Sequence, residues 1–341
     1  MKKLWYVIFP LLLALGGYFI YKNHEVALNA IEIGRHGLWR WLFIAILAQL
    51  IVYLFIILMH QAALLTVGSK RSVKELIPLV LSTLVINVIA PTGGTAGAVL
   101  FATDASDRGE SPMRVATGVI LVLISDFVAF SSLLIFALAF LAGRGELGSF
   151  ETIAALIFFA MTGFLVSLIY FAKAQTTLLR KILNRIKRFF DWFDAKFRKK
   201  INPEDWVPKV VCELNEASDS IVKNPRMIGK TLAYSLLSHF ANIISLYFIF
   251  LAFGAPVKAG FLISGYAISA LFKVVSPIPE GIGVVEATMT LVYSSFGIQP
   301  IKATAIAITF RLFNFWIPFG LGFGLLQKYN IDKILKNRVK V

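Results

Sequence analysis

Pro91-Thr92-Gly93-Gly94-Thr95-Ala96-Gly97 interrupts a run of residues, 76–103, that contains no Asp, Glu, Lys or Arg. Proline removes a backbone donor and blocks a continuous helix, and the glycine pair permits the positive φ of a tight reversal. Each arm of the run is then a helix of roughly 18 Å, which reaches about the midplane of a bilayer. This stretch predicts a re-entrant hairpin whose tip lies inside a membrane.

The composition of the whole chain is that of a membrane protein. Of 341 residues, 58% are hydrophobic and only 16% are charged, whereas soluble domains carry about 25% charged residues. Other runs without a charged residue, at 41–69, 152–172 and 231–257, exceed the roughly 20 residues that a spanning helix needs. No barrel-like alternation is present, so the sequence predicts an all-α polytopic membrane protein. The basic start at Lys2 and Lys3 fits either a cleaved signal peptide or an uncleaved first span, and we favour the span.

The distribution of basic residues sets the expected orientation. Residues 173–230 hold fourteen Lys or Arg against seven Asp or Glu, and the tail 328–341 holds five against one. Basic loops stay on the cytoplasmic side, so we expect both regions and both termini to be cytoplasmic, in a cell membrane. If 76–103 crossed the membrane completely, 173–230 would lie outside, and a re-entrant hairpin removes this conflict.

A second break predicts a hairpin of the opposite orientation. Between spans at 231–253 and 303–326 the chain reads Ser276-Pro277-Ile278-Pro279-Glu280-Gly281-Ile282-Gly283, and this segment must enter and leave on the outer side. Residues 38–142 and 231–326 then form an inverted-topology repeat with two re-entrant broken-helix hairpins, a design of secondary transporters. Two ordinary proline-kinked spans are the alternative. The predicted parts are a first membrane part at 1–172, cytoplasmic basic amphipathic helices at 173–230, a second membrane part at 231–327 and a basic cytoplasmic tail at 328–341.

Charged residues at bilayer depth are candidate functional residues, because burying them in hydrocarbon is costly. Asp126 and Arg311 both fall near mid-membrane and either pair with each other or face one cavity; a purely structural ion pair is the alternative. Glu286, soon after the second break, is the strongest single candidate. The helices that begin after Gly94 and Gly283 are expected to present unpaired N–H groups that attract phosphate. The remaining candidates for substrate binding and translocation are Asn87, Pro91, Gly93, Lys273, Pro279, Glu280, Gly281 and Asn314.

Several classes of site are unlikely on composition alone. One cysteine, Cys212, and four histidines without ligand spacing predict no metal site and no cofactor. Neither glycine-rich break matches a nucleotide-binding motif. Residues 178–200 alternate apolar and basic positions at helical spacing, which predicts an amphipathic helix on an anionic membrane surface rather than a nucleic-acid site. Expected partners are membrane lipids with anionic or phosphate-bearing headgroups, and a homo-oligomer is possible.

Three motifs together resemble a known family, the lysylphosphatidylglycerol synthase transmembrane or flippase-like family. They are Asn87 with residues 91–97, Pro279-Glu280-Gly281-Ile282-Gly283-Val284-Val285-Glu286-Ala287, and Phe310-Arg311-Leu312-Phe313-Asn314-Phe315-Trp316-Ile317-Pro318. The resemblance covers about 1–330 and implies a translocating membrane region. It departs at Ala98, where members often carry an acidic residue, and the chain stops at Val341 without an aminoacyl-transferase domain. The resemblance therefore implies translocation without lipid modification.

Two main hypotheses for function remain. The first is a flippase-like transporter that moves a phospholipid or glycolipid headgroup between leaflets, without catalytic residues. The alternative is a membrane-embedded enzyme or accessory subunit in lipid-linked sugar synthesis or lipid modification, with Glu280 and Glu286 as acid and base. A channel has the least support, since no ring of filter residues is evident.

Overall fold

The computed structural model describes residues 38–89, 96–174 and 206–326, with scattered positions between 177 and 188. Within these ranges the chain forms helices and no strand. The predicted first span, the candidates Pro91, Gly93 and Gly94, most of the basic stretch 173–205 and the tail after 326 lie outside the described residues. In chain order the helices are α1 (Trp39–Thr66), α2 (Val73–Ile89), α3 (Ala96–Asp107), α4 (Pro112–Gly143), α5 (Ser149–Ala174), α6 (Trp206–Lys223), α7 (Pro225–Ala252), α8 (Ala259–Val275), α9 (Val284–Ser295), α10 (Pro300–Arg311) and α11 (Ile317–Leu326).

Five of the described helices are long and apolar enough to cross a membrane. They are α1, α4, the Ser149–Ser167 part of α5, α7, and the unit Pro300–Leu326, in which a π-helical turn joins α10 to α11. The predicted class, an all-α polytopic membrane protein, is confirmed. Helices α1, α5 and α7 begin two, three and six residues before the uncharged runs 41–69, 152–172 and 231–257, and α1 and α7 end three and five residues before those runs do.

The two predicted breaks separate pairs of shorter helices. Helices α2 and α8 have 17 residues each, and α3 and α9 have 12 each, so the longer members span only about 25 Å at 1.5 Å per residue. Glu75, at the start of α2, pairs with Arg108, just after α3, at 2.8 Å. Tyr293 of α9 donates its hydroxyl to the carbonyl of Leu262 in α8 at 3.0 Å. Each pair is thus a helical hairpin, and its depth in the bilayer stays a prediction.

The open ends of the two hairpins lie at opposite ends of α4. Beside the start of α4, Arg71 contacts Glu110 at 2.6 Å and Asp104, near the end of α3, at 3.3 Å. At the end of α4, the Arg144 guanidinium lies 4.8 Å from the ring centroid of Phe261, near the start of α8. Helix α4 has 32 residues, or about 48 Å. The hairpins therefore approach from opposite ends, while the inverted repeat itself stays a prediction.

Each half of the chain packs closely against the other. Helices α1 and α7 lie together, and Ser245 of α7 donates its hydroxyl to the carbonyl of Ala45 in α1 at 2.9 Å. Helix α11 packs against α2 so closely that a Cβ atom on Gly322 would overlap the backbone carbonyl of Leu81. These contacts join the first half of the chain to the second.

The buried ion cluster around Arg71 leads to a pH-dependent prediction. The hydrogen bond from the Arg71 guanidinium holds the pKa of Glu110 below its ordinary value of 4.5. Because the folded-state pKa is depressed, the stability that Glu110 contributes is present above pH 4.5 and is lost as the pH falls through the lower folded value. Thermal unfolding in detergent should show a smaller loss of stability on acidification for Glu110→Gln than for wild type.

Glu146→Gln, which removes an exposed carboxylate at the opposite end of α4, is the matched control for this measurement. We expect its response to acid to equal that of wild type. An identical acid response in all three proteins would mean that the Arg71 cluster does not stabilise the fold.

Candidate functional site

A cavity of about 460 Å³ lies where the second break, the end of α2 and the start of α3 meet the spanning helices. Its walls come from both hairpins and from α1, α4, α7 and α10. Four charged side chains line it, namely Asp126, Lys273, Glu280 and Arg311, together with Asn87, Asn314 and two histidines. The cavity gathers most of the sequence-predicted candidates that the structure describes.

Arg311 and Glu286 form a buried ion pair in the cavity wall. The Nε of Arg311 donates to Oε1 of Glu286 at 3.0 Å, and the two residues are only 2% and 5% exposed. The guanidinium carbon also lies 4.5 Å from the ring centroid of Phe315. Arg311 ends α10 immediately before the π-helical turn Leu312–Trp316, and such turns recur at functional sites. The pair is thus almost completely buried, although Arg311 borders the cavity.

The same arginine holds the second break in its irregular conformation. Its Nη2 donates to the carbonyl oxygen of Glu280 at 3.0 Å. Glu280 has φ +51°, and Gly281 and Gly283 have φ +60° and +83°, a region that residues other than glycine rarely adopt. Oε2 of Glu286 accepts from the N–H of Gly283 at 2.8 Å. Arg311 and Glu286 together therefore tie the tip of the second hairpin to the last span.

Two expectations about these residues need correction. Asp126 and Arg311 line one cavity, as one of the alternatives proposed, but they do not pair with each other, because Glu286 lies closer to the guanidinium. The backbone N–H of Gly283 is not free to bind phosphate, since the Glu286 carboxylate already accepts from it. The expectation that the start of α9 attracts phosphate through its other N–H groups stays a prediction.

Asp126 belongs to a second polar group on the opposite wall. Its Oδ1 accepts from the Ser235 hydroxyl at 3.0 Å and lies 3.3 Å from Nε2 of His239. Nδ1 of His239 is 2.8 Å from the hydroxyl of Tyr266. The Asp126 side chain is 38% exposed, so one of its faces remains open to the cavity.

Lys273 is the cation of the cavity that is most open to a ligand. Its Nζ lies 3.9 Å from Oε2 of Glu280, and its side chain is 42% exposed, against 16% for Glu280. A pair at this distance with an exposed ammonium is weak. Lys273 can therefore exchange its contact with Glu280 for an anionic group that enters the cavity.

Amide side chains connect the cavity walls to one another. The Oδ1 of Asn242 accepts from Nδ2 of Asn314 at 2.7 Å and from Nε2 of Gln49 at 3.3 Å. Tyr53 donates to the carbonyl of Asn314 at 2.8 Å. In the first hairpin, Oδ1 of Asn87 accepts from the N–H of Gly97 at 3.1 Å. Asn87 and Asn314 thus join helices, and they also present polar edges to the cavity. Across the described ranges, no group of three metal-ligating side chains lies together.

Comparison of the amino-acid sequence with known families identifies the family of this chain. Residues 6–322 match the family model of the lysylphosphatidylglycerol synthase TM region. The chain belongs to this family. The motifs at the second break and around Arg311, which carried the resemblance in the sequence, form the wall of the cavity in this family member.

Curated relatives come from archaea. The chain is 29% identical over 257 residues to a UPF0104 membrane protein of Pyrococcus horikoshii, covering 73% of this chain and 72% of that protein. It is 25% identical over 304 residues to a UPF0104 membrane protein of Methanocaldococcus jannaschii, covering 86% of each. No solved structure matches the chain significantly.

Sequence reasoning missed Tyr266 and Ser235, and it did not include His239 among the candidate site residues. Uncharged polar side chains at depth are common, so neither Tyr266 nor Ser235 stands out by type. One signal was available: Ser235 and His239 are four residues apart and therefore share a helix face. Pro279 and Gly281 lie in the short 3₁₀ turn Pro279–Gly281 at the second break, where they shape the tip rather than offer side-chain donors.

Proposed function

We propose that this protein moves the headgroup of a phospholipid or glycolipid between membrane leaflets. The observation that carries the proposal is the cavity beside the second break, which is lined by four charged side chains, Asp126, Lys273, Glu280 and Arg311. Its volume of about 460 Å³ lies within the roughly 300–1,000 Å³ of small-molecule sites. A headgroup fits this space, whereas acyl chains do not need it because they stay in the surrounding lipid.

The cavity side chains can replace the water that a headgroup loses. Moving an ionised group into hydrocarbon without partners is prohibitive. Lys273 offers an exposed ammonium to a phosphate, and the amides of Asn87 and Asn314 offer donors and acceptors to hydroxyl groups. Large apolar side chains on the outside of α1 and α5, such as Leu50, Phe150 and Phe164, are exposed and suit contact with acyl chains.

The family supports a lipid as the substrate. Its description names the membrane region of a synthase whose product is an aminoacylated phospholipid. Extended to this chain, the description favours a phosphate-bearing lipid of the cell membrane, with both termini cytoplasmic as the basic residues indicate. Self-association of the chain is part of the same hypothesis.

Translocation accounts for the site better than catalysis by the two glutamates. Both oxygens of Glu286 accept hydrogen bonds, from Arg311 and from the backbone of Gly283. A general acid or base must instead reach the proton of a substrate. The Glu280 side chain is only 16% exposed and lies beside Lys273. These contacts favour translocation over acid–base catalysis.

Reconstitution in phosphatidylcholine vesicles tests the proposal. Fluorescent anionic, aminoacylated and glycosylated lipids are added in turn, and the fraction in the outer leaflet is followed by chemical quenching. Wild-type protein should move at least one class of lipid between leaflets. If the leaflet distribution of every lipid in the panel stays as in protein-free vesicles, the transport proposal is wrong. Turnover of a lipid in detergent micelles, where leaflets do not exist, would support the enzyme instead.

Lys273→Gln should slow the movement of phosphate-bearing lipids by about 10–100-fold, because a charge-assisted hydrogen bond contributes about 1.5–3 kcal/mol. Lys258→Gln is the matched control. Lys258 directly precedes the same helix, α8, but is exposed and outside the cavity lining, so its transport rate should equal that of wild type. Equal rates for both variants would mean that Lys273 does not bind the headgroup.

A further inference from the structure

We propose that His239, held between Asp126 and Tyr266, is a proton-binding site that couples proton movement to lipid movement. This inference rests on the proposed transport function and names the ion that drives it. It requires that the imidazole gain and lose a proton inside the cavity, and that the bound proton change how the cavity holds an anionic headgroup.

Both nitrogens of the imidazole have polar neighbours. Nδ1 lies 2.8 Å from the Tyr266 hydroxyl, and Nε2 lies 3.3 Å from Oδ1 of Asp126. Within the described residues, Nε2 forms no aligned hydrogen bond, although it is buried. A buried imidazole nitrogen close to a carboxylate without a formed bond is a position where protonation gains an ion pair.

This arrangement accommodates both protonation states without moving heavy atoms. In the neutral state, the Tyr266 hydroxyl donates to Nδ1, and Nε2 carries the ring proton. In the protonated state, Nδ1–H donates to the Tyr266 oxygen, and Nε2–H faces Asp126. A phenol both donates and accepts, so it is a suitable partner for a titrating imidazole.

The charged side chains of the cavity and its wall do not balance when His239 is neutral. The titratable and charged groups on the elements packed about the cavity are Tyr53 and His60 from α1, Asp126 from α4, Tyr266 and Lys273 from α8, Glu280 from the break, Glu286 from α9 and Arg311 from α10. These include three carboxylates against two cationic side chains, so a neutral imidazole leaves an excess of one negative charge. Protonation of His239 removes that excess.

A phosphate in the cavity would strengthen proton binding. It adds negative charge near the imidazole in a medium where charges are poorly screened. By reciprocal linkage, the proton then strengthens phosphate binding by the same factor. Proton and anionic headgroup are therefore taken up together, and the exposed face of Asp126, 38% open, provides the route from the cavity.

His60, the other histidine of the cavity lining, has different surroundings from His239. It also lines the cavity, but its Nδ1 lies 2.8 Å from the carbonyl of Ile56 in its own helix. Its ring stacks on Phe101 with centroids 5.4 Å apart. Within the described residues no carboxylate forms an ion pair with His60, whereas Asp126 lies 3.3 Å from Nε2 of His239.

The experiment uses the same vesicles and lipid panel, with a pH gradient imposed across the membrane and a trapped pH-sensitive dye. If one proton moves with each lipid, a gradient of one pH unit shifts the leaflet ratio by up to about tenfold, toward the alkaline side. Wild-type protein and Lys258→Gln, which removes an exposed side chain outside the cavity lining, should show this shift together with lipid-dependent proton entry. His239→Gln should show neither, and Tyr266→Phe, which keeps the ring, should shift the pH at which the rate is half-maximal.

Each outcome distinguishes the coupling from the transport function. If no lipid in the panel moves at all, the transport proposal fails, and the coupling fails with it. If wild-type protein moves lipids but the leaflet ratio of the lipid does not change with the pH gradient, the coupling alone is wrong. A gradient response that survives His239→Gln likewise overturns the assignment of the proton site to His239.

Discussion

Replacing Arg311 by methionine should destabilise the protein by about 3–5 kcal/mol, the usual effect of removing one partner from a buried ion pair. Methionine keeps much of the side-chain volume, so the loss reports charge rather than packing. Glu286 would remain 5% exposed with its carboxylate facing an uncharged side chain. The second hairpin would also lose the hydrogen bond that reaches the Glu280 carbonyl. Thermal unfolding in detergent measures the change.

Two further variants separate this explanation from a general effect of losing an arginine. The double variant Arg311→Met with Glu286→Gln removes both charges, and its stability should recover most of the loss. Arg114→Met removes an arginine whose side chain is 46% exposed in its pair with Glu216, and it should change stability by about 0–1 kcal/mol. If Arg311→Met unfolds at the same temperature as Arg114→Met, the buried pair does not stabilise the second hairpin.

Gly322→Ala should be the most damaging small substitution in the last span. A Cβ atom there would overlap the backbone carbonyl of Leu81, and a backbone atom cannot rotate away as a side chain can. Helix α11 would have to separate from α2, and overpacking of this kind destabilises by about 1–3 kcal/mol. The first hairpin would be displaced as well, so lipid movement should fall together with thermal stability.

The same helix offers matched controls for this substitution. A Cβ atom on Gly320 or Gly324 would meet nothing within 4 Å. Because alanine is favoured over glycine within helices by about 0.5–1 kcal/mol, Gly320→Ala and Gly324→Ala should be neutral or stabilising. Equal stability of all three variants would mean that α11 and α2 are not in close contact.

The close packing has a consequence for how the protein moves. Each hairpin contacts a long helix of the other half: Leu81 of the first hairpin meets Gly322, and Phe261 of the second packs against Phe140 of α4. The halves therefore interlock and cannot separate as independent bodies. Any opening of the cavity must involve the hairpins and their contacts with these helices.

The amino-acid sequence alone was sufficient for the class of fold and for the position of the second break. Long uncharged runs require a membrane, and proline with glycine at 277–283 ends a helix whatever surrounds it, since the cause is local to the backbone. The cost of burying charge singled out Asp126, Glu286 and Arg311 by the same local reasoning.

Only the tertiary structure decided which charges meet. Sequence places a residue by its depth along a span, but the direction in which its side chain points depends on how the helix rotates against its neighbours. Arg311 pairs with Glu286, which is 25 residues away in the chain. Asp126 accepts a hydrogen bond from Ser235, which is 109 residues away in the chain. No periodicity in the sequence encodes such distant pairs, because they result from the packing of whole helices.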